Sequence, residues 1–471
     1  MKAICAEAIE AARAAGAEYA DARAIVRRSQ SVATKNGRVD AIDDAESEGV
    51  GVRVLVGGAW GFACDRRLSD EGAREAARRA CDFARAAGGS SRRLAPVEPG
   101  AYAYRTPFER DPFSVPLADK IEHCLRAEAA LRHDDVIVTS AFVRALRETK
   151  ALLTTDGVEL EHELVECGGG IDALAARDGV VQQRSYPAAH TGSSAQAGWE
   201  YVESLGLERE APRVGEQAAA LTRADECPAG RMTVVIDSEQ LTAQVHESVG
   251  HPTELDRIYG TEAAYAGTSF LTPGDLGSLR YGSELMNVTA DPTTPLGLGT
   301  FAVDDEGVAA APVPIVAEGV LHGFLTSRET DERGGSMRAE SWSRMPLVRM
   351  TNLHLEAGSG SFEELLDGVA EGLYLETNKS WSIDDKRLNF QFGTQIAWEI
   401  RDGKLGRMLR DATYTGISPQ FWAGLDAVAG PEEWRLFGIT NCGKGQPGQG
   451  AHVSHGASPA RFRGVQVGVK A

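Results

Sequence analysis

The sequence lacks three features that would assign the protein to a specialised class. It contains no continuous apolar run of about 18 residues, which is the length a membrane-spanning helix needs. Its N-terminal residues, Met1–Glu7, carry an early acid and lack the apolar stretch of a secretion signal. No Cys-x-x-Cys pair occurs among the dispersed cysteines at positions 5, 64, 81, 124, 167, 227 and 442, which are unlike a disulfide framework. We therefore expect a cytoplasmic protein with reduced thiols and no membrane association.

Positive charge is scarce relative to negative charge. The chain has 49 Lys and Arg residues against 68 Asp and Glu residues, a formal net charge of -19. Much of the surface would therefore repel a nucleic-acid backbone or an anionic membrane, and we expect neither as a partner. The excess acid is scattered without a continuous tract, which argues against a protein that mimics DNA.

The remaining composition is that of an ordinary globular protein, with 42% hydrophobic and 25% charged residues. A chain of 471 residues is too long for one ordinary domain. The pattern of elements predicts an α+β fold in which N-terminal α/β meander units precede a β-rich C-terminal domain. The predicted boundaries are an N-terminal domain over 1–95, a proline-rich linker over 96–116, a central domain over 117–226 and the C-terminal domain over 227–471.

The first two domains show a similar order of elements. In the first, a helix at 3–15 precedes strands at 20–35, 38–45, 49–56 and 59–65, with Asn36-Gly37 as a hairpin turn, and a helix follows at 69–87. In the second, helices at 117–132 and 212–223 enclose strands at 136–146, 149–154, 158–167, 171–176 and 180–186. An ancient duplication would explain this order, and chance recurrence of such meanders explains it equally well.

The central motif of the C-terminal domain is His246-Glu247 followed by His251. Asp237 is placed to cap a helix whose apolar stripe, Leu241, Val245 and Val249, would pack on the core. Two histidines five residues apart on a regular α-helix are rotated by about 140°, too far to bind one ion. We therefore predict a π-type turn that realigns the two rings, with Gly250 loosening the backbone and Pro252 ending the helix.

Two imidazoles do not complete a catalytic zinc site, which usually has three protein ligands and an open position for water. Glu254, three residues after His251, is one candidate for the third ligand, and Cys442 is another. Cys442 is favoured, because the glycines around it allow the backbone to approach a metal closely. The neighbouring amide groups and Lys444 would also favour its thiolate.

With these motifs the chain resembles the TldD/PmbA metallopeptidase family, once described as modulators of DNA gyrase. Within it, the chain is most similar to the TldD-type subunits. The similar segments in the N-terminal domain are Gly16–Asp21, Gly49–Arg53 and Trp60–Phe62. Those in the C-terminal domain are His246–Asp256, Arg349–Asn352, Ser380–Asp384 and Asn441–Lys444. The family signature is His-Glu-x-x-x-His with a late cysteine, and PmbA-type subunits lack it.

The resemblance implies a cytoplasmic peptidase that trims or degrades unfolded peptides. It implies one zinc ion per chain, held by His246, His251 and Cys442, with Glu247 as the catalytic base. The acids Glu254 and Asp256 also match the family motif, and we assign them to positions that orient His251 or nearby backbone. The expected partner is a PmbA-like paralogous subunit in a heterodimer, or a second copy of the chain in a homodimer.

Other interpretations of the residues carry less weight. A non-catalytic binding or regulatory subunit could use zinc to hold its fold, but a structural site has no use for an acid such as Glu247 beside the ligands. Gly438–Gly445 lacks the Ser or Thr of a phosphate-binding loop. His452 and His455 could bind metal but are more typical of a solvated loop, and Asp304–Glu306 is typical of a turn. Three tryptophans could line a groove, but we expect them in the core: Trp342, Trp381 and Trp398.

Overall fold

The structure is a computed structural model that describes residues 1–90, 92–331 and 334–468. The mixture of helix and strand is confirmed, and the C-terminal region is rich in strands. No helix in the described ranges is both long enough and apolar enough to span a membrane. The helices are α1 (Lys2–Ala14), α2 (Asp70–Ala87), α3 (Leu117–Ala130), α4 (Trp199–Leu205), α5 (Leu207–Leu221), α6 (Ser238–Val245), α7 (Leu255–Ile258), α8 (Phe362–Leu366) and α9 (Ser418–Ala423).

The first two predicted domains share one sheet. Its strands are β1 (Tyr19–Lys35), β2 (Arg38–Val56), β3 (Ala59–Asp65), β4 (Gly100–Arg105), β5 (Val136–Thr154), β6 (Val158–Arg177), β7 (Val180–Tyr186) and β8 (Ser193–Ala195). The order is β3-β2-β1-β5-β6-β4, and β7 and β8 also pair with β6. The long antiparallel pair of β1 with β5 joins the two units, and β4 brings the segment predicted as a linker into the sheet. The domain boundaries and the duplication stay predictions.

Three strands are longer than the sequence pattern indicates. The predicted strands 38–45 and 49–56 form the single strand β2, and β5 and β6 likewise each replace two shorter predictions. In β2 the pairing with β1 continues through the polar segment that separates the two predicted strands, where Glu48 lies opposite Val26. Backbone pairing therefore extends through residues that show no alternation of apolar and polar side chains.

The C-terminal region contains the remaining strands. These are β9 (Asp225–Glu226), β10 (Gly230–Ile236), β11 (Val288–Ala290), β12 (Val313–Ala317), β13 (Val320–Leu321), β14 (Met337–Arg338), β15 (Leu347–Val348), β16 (Asn352–Leu355), β17 (Glu371–Ile383), β18 (Asn389–Arg401), β19 (Lys404–Arg410), β20 (Thr413–Ile417), β21 (Leu425–Val428), β22 (Arg435–Lys444), β23 (Gln449–Ala457) and β24 (Ala460–Val467).

These strands form two larger sheets around one helix. The second sheet has the order β17-β10-β24-β20-β18-β19-β9, and an additional pairing of β17 with β18 closes five of its strands into a ring. The third sheet has the order β13-β12-β11-β16-β23-β22. Helix α6 follows β10 directly and packs against β17 of the second sheet and against β16, β22 and β23 of the third. The predicted stripe of Leu241, Val245 and Val249 is fully buried there, in the largest hydrophobic core.

Buried ion pairs connect the first sheet to the C-terminal region. The turn predicted at Asp304–Glu306 exists, and its acids are buried. Asp305 lies 3.0 Å from the Lys150 ammonium group, and Glu306 lies 3.0 Å from the Arg53 guanidinium group. The turn is therefore structural, as expected, and it fixes the first sheet against the C-terminal region.

Candidate metal centre

The π-type turn that was predicted between His246 and His251 is present. Asp237 caps α6, since its side chain accepts a 2.9 Å hydrogen bond from the Gln240 amide. The helix then continues as a π-helical turn over His246–Gly250 and a short 3-10 turn over His251–Thr253. The wider turn compensates for the five-residue spacing, so both imidazoles point to the same side.

Gly250 has a different role from the expected one. Its φ of -59° is ordinary for a right-handed helix, so the backbone at this position does not require glycine. A Cβ atom there would lie 2.2 Å from the Met350 sulfur and 3.2 Å from a Leu353 methyl carbon. Gly250 therefore allows β16 and the residues before it to approach the ligand turn closely.

The structure brings the side chains of His246, His251 and Cys442 together. One donor atom from each lies within 4.8 Å of the others. The Cys442 Sγ atom is 3.4 Å from His246 Nε2 and 3.9 Å from His251 Nε2. Zinc bound tetrahedrally at normal bond lengths separates a sulfur and a nitrogen ligand by about 3.5 Å. Both sulfur–nitrogen separations are close to this value, so the cluster suggests a zinc site with three of the usual four ligands.

Cys442 lies on strand β22 opposite Ala451, although the glycines around it are typical of a loop. Its side chain is buried, and burial alone would raise the pKa of the thiol. The Arg349 guanidinium and the hydrogen bond with His251 outweigh burial, and the pKa lies below its usual value. Arg349 also donates to the Cys442 carbonyl oxygen. The cation that favours the thiolate is therefore Arg349.

Lys444, which we expected to favour the thiolate, instead pairs with a cluster of acids. Its ammonium group lies 3.3 Å from Glu254 and 2.8 Å from Asp256. Glu254 also lies 3.0 Å from His251 Nδ1, the ring nitrogen that is not directed at Cys442. Burial alone would raise the pKa of Glu254, but Lys444, His251 and Arg257 together hold it well below its usual value. Glu254 therefore contacts His251 as an anion, whereas Asp256 contacts Lys444.

His246 is also contacted on its far side. Its Nδ1 atom lies 2.6 Å from Nε2 of His455, whose own Nδ1 lies 3.2 Å from the Leu353 carbonyl oxygen. His455 is completely buried on β23, so the expectation of a solvated loop is wrong. Burial is the largest of the effects that hold its pKa well below the usual value. His452, also on β23, lies against Glu166 of the first sheet.

Glu247 has one charged partner that the sequence does not reveal. The Arg387 guanidinium lies 2.8 Å from its carboxylate. Arg387 lies in the turn between β17 and β18, 140 residues from Glu247. No local pattern distinguishes it from other basic residues, since its contact depends on how the second sheet closes.

The three donor side chains line a cleft of about 290 Å³ where the three sheets meet. The first sheet contributes the connection between β7 and β8, the second contributes β17 and Arg387, and the third contributes β22. The apolar part of the lining includes Ala189, Phe437 and Ile439. Trp381, which we expected in the core, lines this cleft and is 48% exposed.

Comparisons with known proteins identify the family. The C-terminal domain of PmbA/TldA metallopeptidases matches residues 229–469, their domain 1 matches 20–84, and their central domain matches 110–225. A protein named "Metalloprotease" from Methanothermobacter thermautotrophicus is 32% identical over 461 residues, covering 96% of this chain and 95% of the relative. The chain therefore belongs to the PmbA/TldD metallopeptidase family.

Two further proteins are similar to parts or all of the chain. A "Zinc metalloprotease TldD homolog" from Saccharolobus solfataricus is 27% identical over 246 residues, which cover 51% of this chain and 52% of that protein. The crystal structure of TldE from Thermococcus kodakarensis superposes with a TM-score of 0.76 at 14% identity, covering 99% of this chain and 100% of that one. This structural likeness shows a shared fold.

Proposed function

We propose that this protein is a zinc-dependent peptidase that hydrolyses peptide bonds in unfolded or short peptides. The proposed ligands of a single zinc ion are His246, His251 and Cys442, and the proposed general base is Glu247. The observation that carries the proposal is the joint position of these groups: the three donors and the Glu247 carboxylate line the same cleft. A closed structural site would have no reason to place a carboxylate there.

Bound zinc supplies Lewis acidity, polarising the scissile carbonyl and making water a stronger nucleophile near neutral pH. In our proposal Glu247 removes a proton from the attacking water and transfers it to the leaving amine. Arg387 orients the Glu247 carboxylate through the ion pair. Glu254 holds the ring of His251 through its Nδ1 atom, which directs Nε2 towards the ion.

The burial of the reacting groups supports an unfolded or short substrate. Glu247 is 8% exposed, His246 is 7% exposed and Cys442 is 3% exposed. A peptide bond within a folded domain cannot approach groups so deep in a cleft, whereas an extended chain can enter. The apolar walls would contact substrate side chains without requiring a particular sequence.

We extend the proposal to a partner and a location. The likeness of this fold to a protein named TldE supports a PmbA-like paralogous subunit as partner, with a homodimer as the alternative. Both would act in the cytoplasm. Size-exclusion chromatography with light scattering, on this chain alone and mixed with a paralogue from the same cell, distinguishes the two assemblies.

The variant Glu247→Gln tests the mechanism. It removes the base but keeps the size of the side chain, so we expect hydrolysis of an unstructured peptide to fall by about 10²- to 10⁴-fold. Zinc content, measured by metal analysis, should equal that of the wild type. In Cys442→Ser we expect both zinc and hydrolysis to be lost.

Two results would contradict this proposal. Hydrolysis by Glu247→Gln at the wild-type rate would exclude Glu247 as the base. A zinc-loaded wild-type protein that hydrolyses no peptide, alone or with its paralogue, would instead support the non-catalytic subunit.

A further inference from the structure

Three groups form a continuous hydrogen-bonded chain behind the metal centre. The Nδ1 atom of His246 is 2.6 Å from Nε2 of His455, and Nδ1 of His455 is 3.2 Å from the carbonyl oxygen of Leu353. The two rings meet edge to face, at an interplanar angle of 82°. His455 and Leu353 are register partners on the parallel strands β23 and β16, so the sheet itself fixes this arrangement.

The protons in this chain can be placed from its last member. A backbone carbonyl oxygen can only accept a hydrogen bond, so Nδ1 of His455 must carry a proton. His455 is completely buried, and no carboxylate contacts it among the described residues, so its ring is neutral. A neutral imidazole carries one proton, and Nε2 of His455 is therefore an acceptor. The proton between the two rings must then belong to Nδ1 of His246.

We infer that His455 is a positioning residue of the metal centre, which locks His246 in the tautomer that leaves Nε2 unprotonated and directed at Cys442. The inference rests on the proposed metal centre. The opposite tautomer of His246 would place a proton on the atom that has to bind the ion, and the site could not form without rearrangement.

The inference gives both proposed histidine ligands an equivalent support. Nδ1 of His251 contacts Glu254, and Nδ1 of His246 contacts His455. Partners of this kind fix the orientation and tautomer of a ligand, and their loss commonly weakens metal binding by about 10- to 100-fold. His246 is contacted by the neutral ring of His455, whereas His251 is contacted by the Glu254 carboxylate. The two imidazoles therefore differ as ligands.

Zinc affinity tests this role without reference to catalysis. His455→Leu removes the acceptor, and we expect its dissociation constant for zinc, measured by chelator competition, to rise by about 10- to 100-fold. His455→Gln keeps an acceptor for His246 and should lie closer to the wild type. The matched control is His354→Leu, since His354 is a buried histidine on the neighbouring strand that contacts Thr294 and no proposed ligand. We expect it to bind zinc like the wild type.

The tautomer can be observed directly. Proteins labelled with ¹⁵N-histidine are compared without metal, and the His246 resonances are those missing from the spectrum of His246→Ala. In the wild type these resonances should show a protonated Nδ1 and an unprotonated Nε2. In His455→Leu these resonances should show a mixture of the two tautomers. The spectra are recorded without metal, so they report the tautomer even if a loss of stability weakens zinc binding by His455→Leu. His455→Gln provides a second variant for comparison.

The outcomes separate this inference from the proposed function. If His246→Ala and Cys442→Ser lose zinc but His455→Leu binds it with wild-type affinity, the metal centre stands and the role of His455 is wrong. A wild-type spectrum with the proton of His246 on Nε2 would also overturn that role. If His246→Ala and Cys442→Ser bind zinc as tightly as the wild type, the proposed metal centre itself is wrong.

Discussion

The contact between Glu247 and Arg387 is the main charged interaction of the proposed base. The ion pair spans 2.8 Å, and both side chains are largely shielded from water. A guanidinium group in such a pair donates in a fixed direction, so it orients the carboxylate as well as compensating its charge. Arg387 therefore determines where the carboxylate can meet a water molecule in the cleft.

At this position, we expect Arg387→Gln to lower kcat/KM for an unstructured peptide by about 10²-fold, because a base that is poorly oriented transfers protons inefficiently. Arg387→Lys keeps the charge but not the planar set of donors, so its kcat/KM should lie between those of the wild type and Arg387→Gln. Zinc content should not change. The neighbouring, exposed Lys386 is the control, and Lys386→Gln should keep wild-type activity. Equal activity of Arg387→Gln and Lys386→Gln would refute the orienting role.

Among single residues, those that belong to a local pattern can be predicted from the sequence. The pair of His246 and His251 follows from spacing, and Glu247 follows from its place beside His246. Cys442 was selected by its glycine-rich surroundings and by the family resemblance, although the structure places it on a strand. The contacts of Arg387 and His455 were not predicted, because each residue contacts a partner more than a hundred residues away.

At the scale of elements, the π-turn is the feature that makes the ligand spacing workable. A regular α-helix would point His251 away from His246, so both histidines can bind the proposed ion only if the turn keeps its width. Close packing by Met350 and Leu353 against Gly250 holds the turn in place. Packing against the third sheet therefore contributes to the stability of the turn.

Gly250→Ala tests this packing. The added methyl group would overlap the sulfur of the buried Met350, so we expect a loss of about 1–3 kcal/mol in the free energy of unfolding. Zinc binding should weaken as well, because displacement of the turn moves His251. Urea unfolding and chelator competition measure the two effects.

The double variant Gly250→Ala/Met350→Ala tests whether overlap with Met350 causes these losses. Truncating Met350 makes room for the new methyl group, so the double variant should bind zinc better than Gly250→Ala alone. If it does not, overlap with Met350 is not the reason why Gly250→Ala weakens zinc binding.

At the scale of the whole molecule, the cleft exists because three sheets converge on α6. The first sheet closes one side of the cleft and meets the C-terminal region at a second, polar cavity of about 110 Å³. His162 on β6 lines this second cavity and is 6% exposed, and neither ring nitrogen has a hydrogen-bond partner among the described residues. Burial, assisted by Lys150, lowers its pKa to about 3.

This buried histidine predicts how acid affects stability. Below the ordinary pKa of 6.5 the unfolded chain binds a proton at His162, whereas the folded protein does not until about pH 3. Protonation therefore favours unfolding, and the contribution of His162 to stability falls as the pH decreases through this range. Between about pH 7 and about pH 5, the wild type should lose about 2 kcal/mol more than His162→Leu in urea unfolding.

The exposed His133 provides the control for this experiment. His133→Leu, which replaces an exposed ring, should lose as much stability as the wild type over the same pH range. Parallel stability curves for the wild type and His162→Leu would show that water or a rearrangement accommodates the charged ring.

The sequence by itself determined the features that depend on neighbours along the chain. Asp237 caps α6 because an N-cap needs only the next few residues, and Asn36-Gly37 turns a hairpin for the same reason. The π-turn was predicted because two histidines five residues apart on a regular α-helix cannot bind one ion. This argument also uses only residues that are neighbours along the chain.

Only the tertiary structure decided which distant groups complete the centre. The sheets bring Arg349 to Cys442, Arg387 to Glu247 and His455 to His246, and strand pairing across long separations sets these contacts. The same pairing joined β1 to β5 and extended β2 beyond its alternating pattern. Side-chain patterns report burial and local geometry, but they do not record which strand lies beside which, because backbone hydrogen bonds are nearly the same for every sequence.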